Sequence, residues 1–128
     1  MTPNNLEEQL EPIDEPIIVH GASEEDLRAC LKELEKLEEV VGYIFRTKNS
    51  ASIDLKEPSK IIDYAMLSSA VIFESEKLAK TFELGNIQKI LVEGQQLKLL
   101  VLIQGENKIN IFLEKDGDYE KILGMLPP

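Results

Sequence analysis

The residues of this chain that could do chemistry are few, and their spacing does not build a catalytic site. Nucleophilic catalysis needs a serine, cysteine or threonine held beside a histidine or an equivalent base. The single histidine, His20, lies in an acidic N-terminal segment, and the single cysteine, Cys30, lies among leucines at helical spacing. We interpret Cys30 as a small core residue and His20 as a solvated one, so we expect no catalytic residue and no enzymatic activity.

Metal and nucleotide sites are not predicted either. The sequence has no Cys-x-x-Cys or His-x-x-x-His spacing, and its glycines do not form the Gly-x-x-x-x-Gly-Lys-Ser/Thr loop that cradles phosphates. Glu24, Glu25 and Asp26 could suggest a cation site, but negative charge at the start of a predicted helix is explained by the helix dipole. We therefore expect no metal and no cofactor.

The net charge of −10 is concentrated near the N-terminus. Residues 1–26 hold eight acidic and no basic residues, which leaves 16 acidic and 14 basic residues in the rest of the chain. No basic face is available to neutralise phosphates, so we expect no binding to nucleic acid or to an anionic membrane surface. No apolar run approaches the ~20 residues of a membrane helix, and the N-terminus lacks the basic and apolar regions of a secretory signal, so we expect a cytoplasmic protein.

At 128 residues the chain is long enough for one domain. We assign residues 1–20 to an acidic leader that is expected to be disordered, because it is rich in acids and poor in apolar side chains. The alternative is that the leader is a short linear motif or an autoinhibitory segment, in which Ile17, Ile18 and Val19 dock as an extra strand. Residues 21–126 are predicted to form the single domain.

The hydrophobic periodicity predicts the order helix, two strands, long helix, three strands, short helix. Helices are expected at residues 23–41, 58–85 and 118–125, and strands at residues 41–47, 50–55, 87–93, 96–103 and 108–113. Ser23 is the predicted cap of the first helix, Lys48-Asn49 supplies the first hairpin turn with asparagine in left-handed geometry, and Gly85 takes the left-handed position after the long helix.

The strand at residues 96–103 is apolar at nearly every position, so helices must cover both faces of the sheet. The predicted fold is α+β: a five-stranded antiparallel sheet in the order 2-1-5-4-3 lies between one long helix and two terminal helices, as in profilin-like proteins.

The long helix is apolar around more than half of its circumference. On a helical wheel, one apolar stripe holds Tyr64, Leu67, Val71, Leu78 and Phe82, and an adjacent stripe holds Ile61, Ile62, Ala65, Met66, Ile72, Phe73 and Ala79. A helix that only covers a sheet needs one such stripe, so we expect a second copy of the helix as the other partner, with the edge strand at residues 87–93 joining the contact. The predicted dimer or partner interface consists of Tyr64, Leu67, Ser68, Val71, Ser75, Leu78, Ile87, Lys89 and Leu91.

Two stretches resemble the roadblock/dynein light chain family. They are VVGYIF, in which Gly42 lies in the first strand, and LAKTFELGNIQKILVEGQQLKLLVLI, which begins at Leu78. With the order of elements, the resemblance covers about residues 24–123. The first hairpin departs from the family pattern, since Lys48-Asn49 stands where the family usually has Asp-Gly.

The resemblance implies a non-enzymatic protein. Family members are dimers in which the long helices pair and the third strands join into one sheet, and they act as platforms that regulate small Ras-like GTPases. This chain is most similar to the small prokaryotic members. A small-molecule-sensing module and a purely structural adaptor stay open as alternatives, as does a heterodimer. Arg46 is only a weak candidate for a direct role, and Ser68, Ser69 and Ser75 are either polar contacts for a partner or packing spacers.

Overall fold

The structure, a computed structural model, describes residues 23–127. The predictions for residues 1–20, including the docked strand, lie outside the described residues. The elements are α1 (Glu24–Glu35), β1 (Val40–Arg46), β2 (Ala51–Leu55), α2 (Ile61–Thr81), β3 (Lys89–Glu93), β4 (Leu97–Gln104), β5 (Asn107–Glu114) and α3 (Tyr119–Met125). The five strands form one antiparallel sheet in the order β2-β1-β5-β4-β3, which confirms the predicted fold.

Helices cover both faces of this sheet, as the apolar β4 requires. Leu100 faces the core under α1 and α3, whereas Leu99 and Val101 face the core under α2, and all three side chains are buried. Burying both faces of one strand explains why β4 shows no alternation of apolar and polar residues.

The first helix is shorter than predicted. Ser23 caps it as expected, because its hydroxyl accepts a hydrogen bond from the backbone N–H of Asp26 at 3.1 Å. The helix ends at Glu35 instead of residue 41, and Leu37 packs on the α1 core from the turn that follows. Val41 lies in β1 and contacts the opposite core, under α2. The helical spacing of apolar residues continues beyond the end of the helix because the turn also covers the sheet, and this made the predicted helix too long.

The first hairpin closes without the left-handed asparagine that we predicted. Among the described residues, Glu83 is the one non-glycine residue with a positive φ, so Asn49 is not left-handed. Instead, the Thr47 hydroxyl accepts hydrogen bonds from the N–H groups of Asn49 and Ser50, at 3.3 and 3.1 Å. Gly42 is needed further along the hairpin, because a Cβ there would lie 2.5 Å from the Asp54 carbonyl oxygen.

The ends of α2 also differ in detail from the prediction. Pro58 opens a single 3-10 turn, and the α-helix proper runs from Ile61 to Thr81. The left-handed residue after the helix is Glu83, with φ 54°, and the N–H of Leu84 donates to the Ala79 carbonyl at 2.8 Å. This is a Schellman cap with glutamate where glycine is usual, while the left-handed Gly85 comes two residues later.

Replacing Glu83 with glycine should stabilise the protein. A side chain in the left-handed region costs roughly 1 kcal/mol or more, and part of the gain is lost because glycine makes the unfolded chain more flexible, so we expect a net gain of about 0.5 kcal/mol. Denaturant unfolding measures it, with Glu83→Ala as the control that keeps a Cβ at this position. Equal stability of the glycine and alanine variants would contradict the assignment of strain to this residue.

Candidate interaction surface on the long helix and the edge strand

The face of α2 that packs on the sheet lies between the two predicted stripes. Ser68, Ile72 and Ala79 are buried, and Ile61, Tyr64, Ala65 and Val71 pack partly buried against the same core. The ring of Tyr64 stacks on that of Phe112 in β5, with 4.6 Å between centroids. The sheet therefore takes residues from both stripes, and each stripe keeps residues that face solvent.

Two exposed apolar rows remain on α2. The first contains Ile62, Met66 and Phe73, which are 72%, 66% and 63% exposed. The second contains Leu67, Leu78 and Phe82, which are 37%, 55% and 67% exposed. Contiguous exposed apolar surface of this kind marks an interaction site on a soluble protein.

The first row, with its small member Ser69, lies on the side of α2 that faces β1. The Arg46 guanidinium of β1 donates to the Ser69 hydroxyl at 3.2 Å, and the neighbouring Glu76 pairs with Lys108 of β5. β1 and β3 lie on opposite sides of β5 in the sheet, so this row points away from β3, and we call it the far row. Leu67 and Leu78 lie on the opposite flank of the helix, because Leu78 is about 140° from Phe73 on the helical wheel, and we call them the β3-side row.

The β3-side row has the spacing of a helix-pairing seam. Leu67, the half-buried Val71 and Leu78 follow each other at intervals of four and seven residues, which fits the a/d pattern of a coiled coil. β3 lies at the edge of the sheet beside this row, with one side of its backbone unpaired within the described residues.

This geometry changes the predicted interface. Ser68 is fully buried, and its hydroxyl donates to the Ala65 carbonyl at 3.2 Å, so we remove it from the interface. Tyr64, Val71 and Ser75 are half-buried, and the Tyr64 ring packs on Phe112 of the same chain. Leu67 and Leu78 are exposed on the flank of α2 that faces β3.

On the edge strand, the outcome is closer to the prediction. β3 begins at Lys89 instead of residue 87, although the Gln88 carbonyl still accepts the Ile103 N–H at 2.9 Å. Lys89 is exposed, while Ile87 and Leu91 are half-buried. Ile62, Met66 and Phe73, which the prediction left out of the interface, lie on the flank of α2 that faces β1.

The candidate chemical groups have structural roles. The Cys30 thiol lies 3.1 Å from the Met125 carbonyl, and burial, followed by the nearby Glu33, raises its pKa, which keeps it protonated and weakly nucleophilic. The Arg46 guanidinium donates to the Ser69 hydroxyl at 3.2 Å, so it ties β1 to α2. His20 lies outside the described residues.

Within residues 23–127, no group of three metal-binding side chains comes together. No helix in that part of the chain has the length and apolarity needed to cross a membrane. A groove of about 960 Å³ beside Phe73 is not a closed cavity, since it is lined largely by exposed polar residues such as Lys77, Lys80 and Glu83. It therefore does not favour a small-molecule sensor.

One acidic contact on the other face of the sheet makes stability depend on pH. Burial and the adjacent Asp54 carboxyl raise the pKa of Glu35, at the end of α1, above its ordinary value of 4.5. The folded state therefore holds this proton more tightly than the unfolded state. The stability that this bound proton contributes is fully present below the ordinary pKa of 4.5 and is lost as pH rises through the raised pKa of Glu35.

We therefore expect Glu35→Gln to be more stable than the unmodified protein at pH 7, and this gain to vanish on acidification below pH ~4. Urea unfolding across this pH range measures the difference. Glu38→Gln, an exposed position in the turn after the same helix, is the matched control and should change nothing. A gain for Glu35→Gln that stays constant with pH would contradict the assignment.

The sheet order, the two helical layers and the long helix with its free flank define a roadblock-like α+β fold. Neither the family models nor the curated proteins compared with this sequence give a match. Among solved structures, a Roadblock/LC7 domain from Streptomyces avermitilis is similar, with 10% identity, 83% of this chain and 89% of that chain covered, and a TM-score of 0.60. MglC from Myxococcus xanthus matches with 15% identity, 78% and 89% coverage, and a TM-score of 0.47. This chain thus has the Roadblock/LC7 fold, as the resemblance predicted.

Proposed function

We propose that this protein is a non-catalytic, homodimeric platform that binds and regulates a small Ras-like GTPase. The observation that carries the proposal is the heptad-spaced β3-side row, which is exposed beside the free edge of β3. The partner class is suggested by the resemblance to roadblock proteins and by their fold.

The two features define one dimer. If two β3 strands pair across a two-fold axis perpendicular to the sheet, both α2 helices lie on the same face of a ten-stranded sheet. Each helix then turns its β3-side row toward the other, which buries Leu67 and Leu78.

The far row remains exposed in such a dimer and is the surface that we assign to the GTPase. Ile62, Met66 and Phe73 would contact the partner once per protomer. Arg46 is held under α2 by Ser69, so it does not supply an arginine finger. Regulation would instead come from ordering the switch segments of the GTPase itself.

Titration with the small GTPases of the same organism, loaded with GDP or with a non-hydrolysable GTP analogue, tests this function. We expect binding that depends on the nucleotide and a change in nucleotide turnover. Met66→Glu should abolish binding while the protein stays dimeric. Binding without any change in turnover would favour the purely structural adaptor, and no binding in either nucleotide state would contradict the proposal.

A further inference from the structure

The second edge of the sheet, formed by β2, offers a strand-binding site whose occupant is in this chain. The backbone groups of Ala51, Ile53 and Leu55 point away from β1. This follows from the hairpin register. Thr47 N–H donates to the Ser50 carbonyl at 2.8 Å, and Lys56 N–H donates to the Val41 carbonyl at 3.0 Å. In an antiparallel pair, hydrogen-bonded and non-hydrogen-bonded residue pairs alternate, so Ala51, Ile53 and Leu55 belong to the pairs that are not hydrogen-bonded to β1. Ile53 is 40% exposed on the face that carries α2, because it pairs with Ile44 of the α2 core.

The start of α1 lies next to this edge. Arg28 donates to the Ser52 hydroxyl and lies over the Phe45 ring, while Lys56 Nζ donates to the carbonyl of Leu37 at 2.6 Å. α1 therefore runs in the same direction as β2, and Ser23, its cap, lies toward the β1–β2 turn. A chain that leaves Ser23 backward and joins the β2 edge must pair with it in the antiparallel sense.

We propose that Ile17, Ile18 and Val19 pair with the free edge of β2 as a sixth strand, with Ile17 opposite Ile53 and Val19 opposite Ala51. Three residues separate Val19 from Ser23, and the four Cα-to-Cα steps span up to about 13 Å. A strand paired with β2 lies about 4.8 Å beyond it, and the Arg28 side chain, near the start of α1, already reaches Ser52 of β2.

Three features of the sequence fit this register. The side chains of Ile17 and Val19 would fall on the α2 face, where they cover Ile53. The nitrogen of Pro16 would point away from β2, so its missing N–H is not needed. Asp14 would lie opposite Lys56, which places the acidic leader along a β2 end that also carries the exposed Lys60.

Amide hydrogen exchange of the full chain, read residue by residue by NMR, tests this pairing. The Ile53 amide should exchange at least about tenfold faster in Val19→Pro than in the unmodified chain, because proline removes an N–H that donates to β2. Ile18→Pro, whose N–H would point to solvent, is the matched control and should keep the protection. The Ser52 amide, which is bonded within the hairpin, should not change in either variant.

Unchanged exchange of Ile53 in Val19→Pro would overturn the proposal, and equal loss of protection in both proline variants would overturn its register. Protection of Ile53 that grows with protein concentration while that of Ser52 stays constant would also overturn it, because the strand would then come from a second copy. None of these outcomes depends on the GTPase or on the β3 edge, so this inference and the proposed function can fail independently.

Discussion

Leu78→Glu is expected to convert the dimer into a monomer without unfolding it. Leu78 lies in the β3-side row and is 55% exposed in the single chain, so the substitution removes little contact from the protomer core. In the proposed dimer each copy loses the burial of an apolar side chain, about 1.5–3 kcal/mol, and must desolvate a carboxylate. Two copies of the change act at a symmetric interface, so we expect the dissociation constant to rise at least about 100-fold.

Met66→Glu is the matched control for this prediction. Met66 is on the same helix and is 66% exposed, but it belongs to the far row. We expect Met66→Glu to remain dimeric and Leu78→Glu to lose half of its mass in light scattering during chromatography, while both keep the circular dichroism of the unmodified protein. The reverse pattern would mean that the helices pair through the far row.

Phe112→Ala is expected to have the largest effect on stability. Phe112 is fully buried in the middle strand of the sheet and stacks on Tyr64, so it joins α2 to the sheet. Truncating a buried phenylalanine to alanine typically costs 3–5 kcal/mol, about a third or more of the stability of an ordinary domain. We expect the urea midpoint to fall accordingly.

The same truncation at an exposed phenylalanine provides the control. Phe82 is 67% exposed just beyond the end of α2, so Phe82→Ala should change the unfolding free energy by less than about 0.5 kcal/mol. All variants should be compared at one protein concentration, because dimerisation links stability to concentration. A cost below about 1 kcal/mol for Phe112→Ala would contradict the packing of α2 on this residue.

The order of the strands could be predicted because each apolar pattern allows few arrangements. The continuous apolar run from Leu97 to Ile103 requires cover on both faces, and the short turns around it require an antiparallel meander. The boundaries of the helices and strands were harder to predict from the sequence. Leu37 continues the helical period from a turn, and Thr47 closes the hairpin with its side chain instead of a left-handed residue.

The rotation of α2 about its axis could not be predicted from the wheel. Two apolar stripes were visible, but neither says by itself which residues meet the sheet. In the fold the small Ser68 is buried and lies 3.5 Å from the Arg46 guanidinium, while Tyr64 reaches the Phe112 ring. These long-range contacts turn Ile62, Met66 and Phe73 toward β1 and leave Leu67 and Leu78 on the flank that faces β3.

The central claim is that a second copy of this chain covers the β3-side row. Light scattering during size-exclusion chromatography of the unmodified protein measures this directly, because it gives the mass in solution. We predict twice the 14.5 kDa of one chain, maintained on dilution to about 1 μM. A mass of 14.5 kDa at all concentrations, with Leu67 and Leu78 left open to water, would contradict the account.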